Sequence, residues 1–136
     1  MNITVIDGQG GQLGARLVKE ISTHFPHITI TAVGTNTVAT TTMLKSGAHN
    51  AATGENAVIV ACRKANVILG PIGIVIADSL VGEITPKMAL AISQSDAIRI
   101  LIPMNKCENI IAGVPDLNTN ALIEDSIAKL HSIIDN

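Results

Sequence analysis

Apolar positions along this chain repeat with two periods in alternation. Residues 3–6 form an apolar run, interrupted only by Thr4, the pattern of a strand buried on both faces. Leu13, Leu17, Val18, Ile21 and Phe25 then recur every three or four positions, with Arg16, Lys19 and Glu20 opposite. That spacing predicts a helix over residues 12–24, ended by Pro26. Residues 28–33 read as a second strand, closed by Gly34, Thr35 and Asn36. Strand, helix and strand in this length make one βαβ unit.

The alternation continues down the chain. A helix over 38–46 is stopped by Gly47, with Thr35 or Asn36 available to cap its start. Residues 49–56 are small, polar and glycine-bearing, which predicts a loop. It leads into a helix over 55–65 capped by Thr53; residues 58–60 as a short strand are the alternative. Residues 66–69 form a third strand, ending in Gly70, Pro71, Ile72 and Gly73. The apolar stretch 74–81 that follows is a candidate buried helix carrying Asp78. Thr85 caps, and Pro86 opens, a helix reaching residue 93 with Met88, Ala89 and Ile92 inward. Residues 98–102 are a fourth strand ending at Pro103, and 109–114 a short fifth at an edge. The link between these two is too short for a helical crossover, which points to antiparallel pairing. The last helix, 119–134, presents Ile123, Ile127, Leu130 and Ile134 on one stripe, with Asp125 and Lys129 paired elsewhere.

The pattern as a whole predicts a three-layer Rossmann-like α/β fold in a single domain over residues 1–136. Its sheet is mostly parallel, of about five strands, with one short antiparallel edge strand.

Composition narrows the function classes. Hydrophobic residues make up 47% of the chain but aromatics only 1%, Phe25 alone, so the core is Ile, Val, Leu and Ala. The lack of aromatics speaks against a base-stacking platform for single-stranded nucleic acid. A net charge of −2, without a basic run, speaks against phosphate-backbone binding to DNA or RNA. No apolar stretch approaches the ~18 residues of a membrane span, and no basic region precedes the first apolar run, as a signal peptide requires. Cys62 and Cys107 form no C-x-x-C and read as reduced thiols, although counting alone leaves one disulfide open. A cytoplasmic location is expected.

The candidate chemistry begins where the first strand meets its helix. Asp7 is followed by Gly8, Gln9, Gly10, Gly11, Gln12 and, one turn into the helix, Gly14. A glycine turn at this junction brings a phosphate against helix-start N–H groups, which lack intrahelical partners and carry a partial positive charge. Gly14 lets the helix lie close on the sheet. Asp7 is placed to accept from a ribose, to hold a cation through water, or to cap a loop N–H. The spacing is G-x-G-G-x-x-G, one residue off the dinucleotide fingerprint G-x-G-x-x-G. The end of the second strand carries Thr35 and Asn36 where NAD sites place an acid, and no Arg for a 2′-phosphate. An ordinary NAD or NADP site is therefore weakened, and a nucleotide or phosphorylated metabolite is the broader ligand class. Ligands in parallel sheets sit beyond the C-terminal strand ends, so Gly70, Pro71, Gly73 and Asn105 join the candidate site. A tight βα turn without any ligand would use the same glycines.

Other chemistry is thinner. His24, His27, His49 and His131 have no metal-ligand spacing, and there is no P-loop. Asp7, Glu55 and Asp78 are the acid/base candidates if the protein is an enzyme, and Cys107 lies near the proposed cleft; no reaction is indicated by spacing.

The blocks DGQGG (7–11), GTN (34–36), TGEN (53–56), GPIGI (70–74), GEITP (82–86) and ILIP (100–103) resemble a family of short bacterial proteins known as a domain of unknown function. The resemblance covers nearly the full length and implies a cytoplasmic Rossmann-like protein, without an activity. Residues 34–45 and Gly70-Pro71 also resemble methylglyoxal-synthase-like domains, which bind phosphorylated ligands, but the catalytic aspartates of that family have no counterparts here. Three readings follow: a module binding a nucleotide or other phosphorylated small molecule at the glycine loop, a small enzyme acting on such a metabolite, or an assembly protein. The Ile/Val content and residues 72–81 suggest a homo-oligomer, most simply a homodimer.

Overall fold

The computed structural model describes residues 1–104 and 108–135. Five strands make one sheet: β1 (Asn2–Asp7), β2 (Thr29–Gly34), β3 (Asn50–Thr53), β4 (Val67–Pro71) and β5 (Ile98–Ile102). Five helices connect or follow them: α1 (Gln12–His24), α2 (Thr37–Lys45), α3 (Glu55–Lys64), α4 (Pro86–Gln94) and α5 (Thr119–Ile134). The strand order is β3-β2-β1-β4-β5, and every pairing is parallel. The fold is a three-layer, Rossmann-like α/β arrangement.

Why the strands read as largely apolar runs is clear from the two cores. On one face Ile3, Val5, Ile30, Leu69 and Ile100 pack with Leu17, Val18 and Ile21 of α1, Met43 of α2 and Ile127 of α5. On the other, Ile6, Val33 and Ile68 pack with Val58 and Cys62 of α3 and Met88 and Ile92 of α4. A strand covered on both sides is largely apolar, and the buried polar residues of β1 are Thr4 and the terminal Asp7. β1 is central and pairs with β2 from Asn2–Thr29 to Asp7–Gly34, and with β4 on its other side. The sheet thus changes direction of winding between β1 and β4, and the turn after β1 lies at that point.

Local signals act as their chemistry requires. Asn36 accepts from the Ala39 N–H to cap α2, Thr85 accepts from Met88 N–H ahead of Pro86, and Asn118 caps α5 through Ala121 N–H. Gly47, with φ +120°, follows the last turn of α2. Asp125 and Lys129 pair on the exposed face of α5. Thr53 does not cap α3; its hydroxyl bonds Thr40 at 2.7 Å, and Gly54 occupies the cap position.

Three expectations are corrected. The predicted loop over 49–56 contains β3, an edge strand whose residues are largely exposed, so no apolar run announces it. The predicted antiparallel strand over 109–114 does not form: the described residues there are turn and coil, Gly113 has φ +78°, and Ile110 is 94% exposed. β3 supplies the fifth strand instead, and it is parallel. The stretch 74–81 is not a helix. One 3-10 turn (Ile72–Val75) gives way to a strap in which Asp78, Leu80, Val81 and Gly82 all have positive φ. Ile74 and Leu80 of this stretch are buried in the chain's own core, Val75 and Ile76 are half-buried, and Val81 is 93% exposed.

The close seating of α1 yields a test. A Cβ on Gly14 would stand 2.5 Å from Met43 Sδ and 2.8 Å from Asp7 Cβ. Gly→Ala inside an exposed helix stabilises by up to ~1 kcal/mol; here overpacking reverses the sign. Gly14→Ala should lose about 1–3 kcal/mol in urea unfolding, and a gain would show that α1 is free to move off the sheet.

Candidate functional site

The turn after β1 is built around Asp7. This carboxylate is 3% exposed, yet both oxygens are occupied: Oδ1 accepts from Gly8 N–H and Oδ2 from Gly14 N–H, each at 2.8 Å. Gly11, in the left-handed region at φ +75°, has no side chain with which to cap α1. Asp7 takes over that role from the strand end, satisfying one helix-start N–H. Burial pushes the Asp7 carboxyl above its ordinary range, the two amides pull it back, and the nearby Glu83 charge raises it further; the balance is upward. With both oxygens occupied, Asp7 is a structural staple of the turn rather than a free acid or base.

The loop glycines have different reasons to be glycine. A Cβ on Gly8 would meet Thr35 Oγ1 at 2.6 Å and Leu80 Cδ1 at 2.9 Å, and one on Gly11 would meet the Ala39 backbone at 2.7 Å. Both, like Gly14, are required by the protein's own packing. Gly10 differs: its Cβ would find nothing nearer than Gln12 Cγ at 3.8 Å. Gly11 N–H bonds back to Gly8 O, whereas the N–H groups of Gly10, Gln12 and Leu13 take no acceptor among the described residues.

The residue that sequence reasoning missed is Glu83. Its Oε1 accepts from Gln9 N–H at 2.9 Å, Thr35 Oγ1–H at 2.6 Å and Asn36 Nδ2–H at 2.6 Å. Asn36 also donates to Gln9 O at 3.0 Å, and Thr35 N–H to Asp7 O at 3.1 Å. Three donors from two strand ends thus surround one oxyanion, and that oxyanion belongs to the strap after β4. The end of β2 therefore does carry an acid, delivered from a residue far along the chain. The available signal was the block Gly82-Glu83 just before the Thr85 cap. Desolvation pushes Glu83 up, but its bonds from Thr35, the Gln9 amide and Asn36 outweigh this and hold it below the ordinary range.

The other candidates fall elsewhere. Gly70, Pro71 and Gly73 are buried at the end of β4. A Cβ on Gly70 would lie 2.3 Å from Ile6 O, and Gly73 O accepts from the buried Ser79 hydroxyl, so both serve packing. Glu55 accepts from Thr85 Oγ1–H at 2.7 Å and ties α3 to α4. Asp78 is exposed on the strap. Cys62 is buried with its thiol pushed up to about 11 by desolvation against a smaller pull from Arg99, which leaves it unreactive. Asn105 and Cys107, both named from the sequence, lie outside the described residues. No cluster of three or more metal-ligating side chains occurs among the described residues, and no described helix is long and apolar enough to cross a membrane.

The clasp at Glu83 predicts a pH signature. A folded-state pKa below the ordinary 4.5 means that the clasp contributes fully above that value and is lost as pH falls through the folded-state pKa. Asp7 has the opposite sign, so its ionised form costs stability that protonation restores. Glu83→Ala should therefore lower stability at pH 7 by about 1 kcal/mol, the site being largely solvated. The gap to wild type should close in urea titrations taken below the folded-state pKa. A gap that does not depend on pH would show that the clasp is not ionic.

Comparison with known proteins places the chain. A solved structure of similar shape is the dodecameric FMN-dependent Ubix-like decarboxylase from Escherichia coli O157:H7. It matches at 15% identity over 100% of this chain and 96% of that one, with a TM-score of 0.48. No curated protein matches the sequence. Residues 2–135 match the family model described as a domain of unknown function, DUF3842. A parallel Rossmann-like sheet and a match over almost the whole length identify the chain as a member of the DUF3842 family.

Proposed function

We propose that the protein binds a small phosphorylated ligand, a nucleotide in the first instance, over the C-terminal ends of β1 and β2. The observation that carries this reading is the opening beside Gly10. It is the loop glycine that packing does not require, and it adjoins N–H groups of Gly10, Gln12 and Leu13 that have no acceptor among the described residues. Helix-start N–H groups of this kind favour an anion. The place of the phosphate differs from a simple reading of the glycine motif. The amides of Gly8, Gln9 and Gly14 are already used by Asp7 and Glu83, so the ligand's anion belongs further out, at Gly10 to Leu13. That the same edge already holds one oxyanion in a three-donor cradle supports it as an anion-accepting surface.

A binding role is favoured over an acid/base enzyme because the three carboxylates that could have served are committed or dispersed. Asp7 is stapled to two amides, Glu55 bonds Thr85, and Asp78 stands on the exposed strap.

Thermal-shift measurements against a panel of nucleotides and sugar phosphates test the reading. A ligand at 100 times its Kd should stabilise the fold by ~2.7 kcal/mol. Gly10→Asp places a carboxylate in the opening, where a Cβ makes only an ordinary contact with Gln12 Cγ at 3.8 Å, so it should leave stability within ~0.5 kcal/mol of wild type and abolish the ligand shift. A panel that shifts nothing would end the proposal.

A further inference from the structure

We propose that Glu83 is the specificity residue of this edge, accepting hydrogen bonds from a sugar hydroxyl pair, so that the ligand class is a ribose phosphate rather than its deoxy counterpart. The inference deepens the reading above and rests on it.

The first support is the state of the carboxylate. Oε1 receives three donors, from Gln9, Thr35 and Asn36, and these orient the group. Oε2 receives none from the described residues. One oxygen is an anchor, and the other, held in place by it beside the glycine loop, is an acceptor that no described protein group engages. The second support is electrostatic. Glu83 is held ionised, and Asp7 lies near enough for the two charges to act on each other. A second phosphate cannot face Oε2 without repulsion. What can face it is a neutral donor, and a pair of adjacent hydroxyls supplies two.

Position is the third support. In doubly wound folds the acid at the end of the second strand accepts from the ribose hydroxyls while the phosphate lies at the glycine loop. Here the end of β2 offers only Thr35 and Asn36, and these two side chains grip Glu83 in the place such an acid would occupy. The strap that delivers it runs through Asp78, Leu80 and Val81 at φ +66°, +55° and +57°. Left-handed backbone at non-glycine residues is costly and persists where surrounding structure enforces it, as at ligand clamps. Leu80 and Ile84, both buried, anchor the strap on either side of Glu83.

The test uses three base-free probes on the whole chain, followed by backbone amide NMR: inorganic phosphate, 2-deoxyribose 5-phosphate and ribose 5-phosphate. All three should move the amides of Gly10, Gln12 and Leu13. Ribose 5-phosphate should bind about tenfold more tightly than the deoxy sugar, one charged hydrogen bond's worth, and should also move the strap amides. Glu83→Gln keeps an oxygen for the three donors and should erase the ribose advantage, while inorganic phosphate, relieved of a neighbouring negative charge, binds at least as tightly as to the wild-type chain. Equal binding of the two sugar phosphates to the wild-type chain overturns the inference, needs no variant, and leaves the phosphate site standing. Equal weakening of all three probes by Glu83→Gln also overturns it, by showing that Glu83 only holds the loop in shape. If no probe moves the Gly10 to Leu13 amides, both the inference and the reading beneath it fall.

Discussion

The arrangement at the top of the sheet depends on one buried carboxylate accepting from two backbone amides. Asp7 ends the central strand, and from there it fixes the first N–H of the turn and the third N–H of α1. Burying a lone carboxylate is costly, and the upward pull on its pKa shows that the cost is only partly offset. What the protein gains is geometry. The glycine turn can be tight and nearly free of side chains, and α1 can seat against β1 closely enough that Gly14 tolerates no Cβ. The path of the chain from β1 into α1, and with it the position of every remaining open amide, follows from that staple.

Around this staple the protein has filled part of its own switch point. The strap after β4 lays Leu80 and Glu83 against Gly8. This redistributes the roles that the glycine motif suggests. Three of its four loop and helix glycines answer to internal packing, and Gly10 alone among the four has room for a side chain. A glycine-rich turn is thus two statements superimposed, one about how tightly strand and helix meet and one about what approaches from outside. Only the geometry separates them.

Much of the fold was legible in the chain. The spans of α1, α5 and β5 match the apolar periodicity residue for residue, because each has a strong stripe or run and clear terminal chemistry: Pro26 after α1, Asn118 before α5. β3 was not legible. An edge strand of Asn, Ala, Ala and Thr buries little, and what places it is pairing with β2 rather than any local preference. The run 109–114 failed in the opposite sense: it has strand-like residues but no partner strand among the described residues, and Ile110 stays in solvent. The β1 turn and the Thr35-Asn36 pair, named together from the sequence, do lie side by side, because adjacent parallel strand ends are neighbours. Glu83 escaped because nothing near it in sequence speaks of Gln9, 74 residues away.

That separation has a consequence for how the site matures. The Asp7 staple spans one and seven residues and can close as soon as β1 and α1 meet. The Glu83 clasp joins positions 74, 48 and 47 residues apart, and its strap is anchored on either side by residues buried only once β4 and α4 are in place. Closing such long loops carries an entropic cost that only the assembled core repays. A nascent chain released up to α2 would own the glycine turn but not the acid above it. The clasp therefore belongs to a chain folded at least through α4, and an amino-terminal fragment that ends before Glu83 lacks it whatever the state of its glycine turn.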